Sequence, residues 1–539
     1  MEHALGDGSA PTLRRRVLVG VVGVVLLYGA LILLQMVAVP VFVAPDEPAH
    51  VDYGIQLTHG TIPIAGSHYV PEFPRLGQRG PQHVSNHPPL YYAITGPVER
   101  LAQVSAHPRL LLELTRLFGA VLTAATILLI GRTALLLIRR SAPPWLRATA
   151  AVGSAAVAAC VPTLVASSST IQNDSLEVLL AVLAMLLLVQ AARSVLATRT
   201  VVTLAVVSAL GMLTRISFAP VWALCVAGVL ALTLWPELRL SRPSAGPIRR
   251  ALLRVALVMV VPLAGSGWFY LLNLKRYGDL TGGSAVYDLP IVAERHLVPA
   301  ATHGPLVYLL TPSTWWVQLK QVVGTGSPVA FGPNTEGLVP TALAGTLLAV
   351  LAIALVAAVL RLRGGQAPVD TVGSWCLLVL LLAAAGSCLE LAVHVTHKGS
   401  ENNRYLLNGV AAWGAAVVIL LLALGRRIAP YAITFVVAAE SVGSASHAVQ
   451  TLRRRGERNA SLRDLTGRSW FDTLAEGAHR SGLPAPHLVV AALLVVAGIG
   501  LVLVLVSLLS LSRRSNTPDP SPPSDTLPGT AAAPHEVTP

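Results

Sequence analysis

Apolar runs about 20 residues long recur along most of this chain, with few charges inside them. Each is long enough to cross a hydrocarbon core of roughly 30 Å as a helix rising about 1.5 Å per residue. The runs are continuous rather than alternating, which excludes a β-barrel. Charged residues make up 12% of the chain and apolar ones 54%, whereas a soluble domain has about 25% charged residues. A soluble enzyme is therefore excluded, and the fold expected is an all-α polytopic membrane protein.

Candidate spans lie at about 17–39, 110–138, 148–167, 175–192, 200–214, 218–235, 252–273, 338–360, 372–393, 405–425, 428–448 and 487–511, giving about twelve transmembrane helices. The first run, Val17 to Val39, is too long for a signal-peptide core and has no small-residue cleavage site directly after it. It is read as a retained span. Cys160, Cys225, Cys376 and Cys388 all fall inside apolar runs without a CxxC pair, so neither a disulfide framework nor a zinc site is supported.

The net charge of +13 does not point to nucleic acid, because the basic residues cluster at the ends of apolar runs instead of forming a stripe with interleaved aromatics. Arg14–Arg16, Arg139/Arg140/Arg147, Arg193/Arg199, Arg239 to Arg254, Arg361/Arg363, Arg426/Arg427 and Arg513/Arg514 fall on one side of the bilayer. The positive-inside rule makes that side the cytoplasm, with both termini there, in a bacterial cytoplasmic membrane. The loop 449–486 opposes this trend, with Arg453, Arg454, Arg455, Arg458, Arg463, Arg468 and Arg480 on the outside. If the run 428–448, which contains Glu440, did not cross, that loop would be cytoplasmic.

The layout that follows has a cytoplasmic N-terminus (1–16) and a transmembrane module (17–274) with a long outer loop at 40–109. A second outer loop (275–337), a C-terminal transmembrane module (338–511) and a disordered cytoplasmic tail (512–539) complete it. With most non-membrane mass on the outer face, function is expected there.

The first outer loop opens Pro45-Asp46-Glu47-Pro48-Ala49-His50. Two adjacent carboxylates between prolines suit a general base or a metal site, with His50 close by. They equally suit the free N–H groups at a helix start. Asn86-His87-Pro88-Pro89-Leu90-Tyr91-Tyr92 follows, where His87 could face a phosphate and the tyrosines suit a lipid–water boundary. Asp174 and Glu177 stand at the mouth of a span, as functional groups or as a helix cap. Arg215, Lys275, Arg276, Lys398 and Arg404 break the positive-inside trend, and an anionic lipid phosphate is a natural partner for them, gripped by the arginine fork. Thirteen of the fifteen histidines lie in or beside outer segments, His3 and His535 being the exceptions.

Taken together, these segments resemble the GT-C class of membrane glycosyltransferases, which use polyprenyl-phosphate-linked sugars. More narrowly they resemble an uncharacterised, largely actinobacterial family of GT-C-like membrane proteins. The residues concerned are Pro45 to His50, His87 to Tyr92, Asn173-Asp174, Leu213-Thr214-Arg215, Asn273 to Asp279 and Arg404-Tyr405-Leu406-Leu407. The likeness covers about residues 17–425. Two positions depart from the pattern: Asn408-Gly409 stand where relatives often have a proline, and Arg215 stands where many have lysine.

The resemblance implies transfer of a sugar from a polyprenyl-phosphate donor to a cell-wall glycan, lipid or protein acceptor at the outer membrane face. Asp46 would activate the acceptor hydroxyl, with Glu47 supporting it or holding a divalent cation (Mg or Mn). Arg404, with Lys398 or Arg215 and His87, would bind the donor phosphate, and Asp174 and His50 would contact substrate or metal. A transporter or lipid flippase, or a non-catalytic envelope-assembly protein, are the alternatives; a transporter would place its ionisable groups within the spans, near the membrane midplane, whereas here they gather at the outer ends, with Glu390 and Glu440 the main exceptions.

Overall fold

The computed structural model describes residues 11–44, 46–69, 80–194, 196–238, 245–293, 303–322, 338–364, 368–397, 399, 401–458, 465 and 468–513. Its helices in chain order are α1 (Pro11–Ala38), α2 (Glu47–Thr58), α3 (Leu90–Val104), α4 (Pro108–Leu137), α5 (Pro144–Cys160), α6 (Pro162–Ser168), α7 (Asp174–Arg193) and α8 (Thr198–Met212). They continue as α9 (Ala219–Leu238), α10 (Ala245–Tyr277), α11 (Gly283–Tyr287), α12 (Pro290–Ala293), α13 (Pro305–Leu310), α14 (Pro312–Val322) and α15 (Leu338–Arg363). Last come α16 (Thr371–Thr396), α17 (Val410–Leu422), α18 (Ala429–Arg458), α19 (Trp470–Arg480) and α20 (Pro486–Ser512). Single 3₁₀ segments, Ile216–Phe218 and Asn403–Gly409, lead into α9 and α17.

Among the described residues, ten helices are long and apolar enough to cross a membrane. An eleventh crossing is α5 and α6 taken together, bent by 63° at their junction. Pro162 causes the bend: it has no N–H for the helix ladder and forces Val161 out of helical geometry, to φ −56° and ψ 114°. The run expected to span at 200–214 is α8, only 15 residues long, about 22 Å at 1.5 Å per residue and short of the hydrocarbon thickness. The protein is a multi-pass, all-α membrane protein; each of the twelve apolar runs is helical, and two of them, 148–167 and 200–214, fall short of a straight, full-length span.

Leu18, Val25, Leu253, Leu263, Leu355 and Leu382 are exposed along these helices, as on a surface that faces lipid rather than water. The interior is small-residue packing. The first and last long helices run antiparallel at close range: a Cβ on Gly23 would lie 2.8 Å from the Gly500 carbonyl oxygen, and one on Gly500 would lie 2.7 Å from the Leu27 nitrogen. Only glycine lets two backbones approach so closely. Ser507 Oγ donates to the Arg16 carbonyl at 2.7 Å and Arg16 donates to that of Ser510 at 2.7 Å, so the start of α1 and the end of α20 share one end of the bundle.

That end also gathers the arginine-rich connections. Arg193 donates to the Leu136 and Leu137 carbonyls at the end of α4 and pairs with Asp370, which caps α16 through the Gly373 N–H. Arg361 donates to the Ala423 carbonyl at 2.7 Å. Cationic side chains on the C-terminal carbonyls of helices satisfy acceptors the helix leaves open. At the opposite end, hereafter the site face, lie α2, α3, the α6–α7 turn, the Asn403–Gly409 segment and α19. The amphipathic α19 packs Leu474 and Ala478 against Ala38, Val39 and Leu452, which puts the described part of the arginine-rich 449–486 connection on the site face. Lys320, Lys398 and most of the tail 512–539 lie outside the described residues or their described side chains.

Candidate functional site

Between α1 and α2 the chain turns sharply, with Phe42 at φ 69° and Asp46 at φ 65° in the left-handed region that side chains rarely adopt. Glu47 holds this turn. Its carboxylate accepts from Arg116 Nε at 2.7 Å and from the second guanidinium nitrogen at 2.8 Å, from the Phe42 N–H at 2.6 Å and from the Ile171 N–H at 3.1 Å. Arg116, on α4, also donates to the Val39 carbonyl at 2.8 Å and the Pro40 carbonyl at 3.2 Å. Both partners are fully buried. Such a pair survives burial because nearly every lone pair and proton has a partner. Glu47 is thus placed away from the polar cavity beside it, tying α1, α4 and the α6–α7 turn together.

The neighbouring side chain points the other way. Asp46 lies on the cavity wall, with Oδ1 3.1 Å from His83 Nε2 and Oδ2 accepting from Arg404 at 3.1 Å. Its backbone carbonyl, not its carboxylate, accepts from the Ala49 and His50 N–H groups that open α2, and no side-chain cap bond forms there. Helix capping therefore does not account for the Asp46 carboxylate.

Asp174 opens the first turn of α7, whose N-cap residue Asn173 makes no side-chain cap bond. Its Oδ1 receives Arg215, a direct ion pair, while its Oδ2 is buried without a hydrogen-bond partner. Arg404 Nε, also without one, faces that oxygen at 4.0 Å. Arg404 makes its third contact through a 2.7 Å hydrogen bond to Gln172 Oε1. Arg215 additionally lies 3.6 Å from Glu177 Oε2 and 4.9 Å over the Tyr405 ring. Asn408 completes this shell by donating to Glu177 Oε1 at 2.8 Å and to the Ser217 carbonyl at 2.9 Å. Asn408 is thus held here as a hydrogen-bond donor.

A histidine and tyrosine group forms the floor. His50 Nδ1 is 2.8 Å from the Tyr92 hydroxyl, and Tyr92 stacks on Tyr53 at 3.9 Å between ring centres. The Asn173 amide donates to His87 Nδ1 at 3.0 Å and to the Thr214 carbonyl at 2.9 Å. Nδ1 of His87 is therefore an acceptor, which leaves the ring's proton on Nε2. Burial pushes His50 down to about 3, assisted by Arg404 and opposed by Asp46 and Asp174. Burial also holds His87 well below the ordinary histidine range, with Arg215 adding to the effect. Both rings are neutral at physiological pH. Across the cavity, Tyr287 of α11 donates or accepts at 2.9 Å with His394 Nδ1, and His394 lies 4.1 Å from the Tyr405 ring.

Asp46, His50, His87, Asp174, Arg215 and Arg404 are thus brought around one cavity on the site face, together with His83, Tyr287 and Tyr405. Glu47 is not among them, and Lys398 lies outside the described residues. Among the described residues, no group of three or more His, Cys, Asp or Glu side chains is arranged to hold a metal ion, and Asp46 and Asp174 already face guanidinium groups. His83, Gln172 and Arg116 carry contacts that the sequence alone did not single out. The signal for Arg116 was present as an arginine inside an apolar run; those for His83 and Gln172 were no stronger than for any polar loop residue.

No family model and no curated protein sequence matches the chain. Among solved structures, the chain is similar to ArnT from Cupriavidus metallidurans bound to undecaprenyl phosphate, at 14% identity over 91% of this chain and 77% of that one, with a TM-score of 0.46. The same protein in the apo state gives 15% identity over 91% and 76%, with a TM-score of 0.44. The oligosaccharyltransferase of Archaeoglobus fulgidus, in complex with Zn and sulfate, gives 12% identity over 78% of this chain and 53% of that one, with a TM-score of 0.39.

Proposed function

We propose that this protein is a GT-C-type membrane glycosyltransferase that moves a sugar from a polyprenyl-phosphate donor to a hydroxyl-bearing cell-envelope acceptor at the outer face of the bacterial cytoplasmic membrane. The observation that carries the reading is the placement of Arg404. Its guanidinium joins Asp46 directly and faces the unpartnered oxygen of Asp174, so a candidate base and a candidate phosphate-binding group are held in contact at one membrane edge.

In this reading the acceptor hydroxyl attacks the anomeric carbon. The new carbon–oxygen bond forms as the bond from that carbon to the phosphate oxygen breaks, and polyprenyl phosphate leaves with the electron pair. Asp46 takes the hydroxyl proton. Arg404 and Arg215 stabilise the negative charge that gathers on the phosphate, through preset donors in a water-poor site. Arg404 cannot serve phosphate and Asp46 fully at once. Donor binding draws it from the carboxylate, freeing Asp46 to act as a base only when a donor is present. His50 and His87, being neutral, add no competing cation, and His87 offers its Nε2 proton as a hydrogen-bond donor. The divalent cation suggested by the two adjacent carboxylates does not fit their placement, since Glu47 is turned onto Arg116 and Asp46 onto Arg404.

A carrier would need its ionisable groups across the bilayer interior; here Asp46, Asp174 and Glu177 gather with Arg215 and Arg404 at one rim, which favours chemistry there. The test is transfer of radiolabelled sugar from polyprenyl phosphate by the purified protein in nanodiscs. Label appearing in an acceptor supports the reading; movement of intact donor lipid between leaflets without any bond cleavage would replace it with a flippase.

A further inference from the structure

A second cavity adjoins the first on the far side of Arg404. It lies between α1, α6, the Asn403–Gly409 segment and α18, and its wall includes Gln35, Thr163, Gln172, Asn403, His447 and Thr451 as well as Arg404 itself. Gln172 stands in the partition: its Oε1 accepts from Arg404 at 2.7 Å and its Nε2 donates to the Ser167 carbonyl at 2.8 Å. Among the described residues Arg404 is the only charged one on this wall, and hydroxyl and amide groups stand there among Val39, Ala44 and Ala166, more of the exposed lining being apolar than polar. Gln35 is 3% exposed; its Nε2 meets His447 Nδ1 at 3.1 Å, while its Oε1 has no partner. A buried amide oxygen without a hydrogen bond is uncommon in a folded protein and is a vacancy for a donor.

We propose that this second chamber binds the body of a neutral, polyhydroxylated ligand, a carbohydrate, with Arg404 at the neck between the sugar and the reacting phosphate. A sugar ring carries hydroxyls at its edge and apolar C–H faces, which matches hydroxyl and amide groups set among Val39, Ala44 and Ala166, with no carboxylate among the described lining residues; a wholly apolar tail would leave Gln35 Oε1 without a donor. A ligand hydroxyl that donates to Gln35 Oε1 satisfies a group the protein leaves open, with the Thr163 and Thr451 side chains on the same wall. The proposal rests on the glycosyltransferase reading and adds to it the location of the sugar. Two sources supply the same chemistry, the donor's own sugar and a glycan acceptor, and the experiment separates them.

The full-length protein in nanodiscs is compared with its Gln35→Leu/Thr163→Val variant. The probes are undecaprenyl phosphate, the same lipid carrying a neutral hexose or pentose, and an array of neutral oligosaccharides. If the chamber takes the donor sugar, the variant's preference for glycosylated over bare lipid falls at least tenfold while bare-lipid affinity is unchanged. If it takes the acceptor, that preference stands and oligosaccharide affinity falls at least tenfold. Carbohydrate binding that is equal in parent and variant, or absent from the parent, overturns the chamber. Should the double variant fail to fold, Thr451→Cys supplies a second measurement: its alkylation by a maleimide slows at least tenfold when a carbohydrate probe is bound, and an unchanged rate with every probe overturns the proposal. Failure of the underlying reading shows separately, as bare-lipid affinity that survives Arg404→Ala.

Discussion

Arg404 donates to Asp46 Oδ2 at 3.1 Å across 358 positions of sequence. The contact joins the turn after the first long helix to the 3₁₀ segment before α17. Holding these groups together before any substrate arrives lowers the entropy cost of assembling them later.

Asp46→Asn preserves the shape of the side chain but not its basicity. Transfer should fall roughly 100- to 10,000-fold, the usual contribution of a positioned acid or base, with membrane insertion unchanged. Radiolabelled transfer at saturating donor is the measurement, and turnover equal to that of the parent would remove Asp46 from the mechanism.

Arg404→Lys keeps the charge and loses the fork. Polyprenyl phosphate should bind about tenfold more weakly, a difference of about 1.4 kcal/mol. Titration of the purified variant with the lipid reads this directly; parental affinity would place the phosphate elsewhere.

Glu47→Gln addresses architecture rather than chemistry, because it removes the buried carboxylate that grips Arg116 at two points and leaves it only the half-buried Glu113 carboxylate, at 3.3 Å, and backbone carbonyls. Breaking such a pair costs about 3–5 kcal/mol, so the thermal midpoint should drop well below that of Asp46→Asn. Glu47→Gln/Arg116→Leu should regain part of the loss. A single variant as stable as the parent would show that the pair does not hold the turn.

Acid should destabilise the fold through His50. Its folded value, about 3, lies below the unfolded value of about 6.5. Between the two the unfolded chain binds the extra proton, so stability is complete above about pH 6.5 and declines as pH falls. The slope approaches about 1.4 kcal/mol per pH unit for each such group; His87, lowered in the same direction, adds a second. Thermal midpoints recorded from pH 8 to 4 should fall, and His50→Gln should flatten the curve. A parent whose midpoint ignores pH over that range would show that His50 is not buried in neutral form.

The helices were legible in the sequence because a bilayer imposes one length on every crossing, and apolar runs report that length. The bend at Pro162 and the shortness of α8 were local departures from it that a count of runs passes over. At the site, Asp46, Asp174, Arg215 and Arg404 stood out because charge at the rim of an apolar run is costly. Which carboxylate met which arginine was not legible. Asp46 and Glu47 are adjacent and chemically alike, and their opposite directions follow from a left-handed turn and from Arg116, 69 positions further on. Asn408 was equally illegible: its side chain is a donor to Glu177, 231 positions away, and to the Ser217 carbonyl, 191 positions away.

The glycine seam between α1 and α20 has a consequence for biosynthesis. Every residue around the cavity is translated before Pro486, yet the helix bearing the Asp46 turn loses one flank of its support until the final hydrophobic segment leaves the ribosome. A nascent chain therefore passes through an interval in which the chemistry is fully encoded and its brace is missing. Gly20, which also packs against Val152, is partly covered in that interval, whereas the face of Gly23 that meets Gly500 and Val504 is open until α20 arrives.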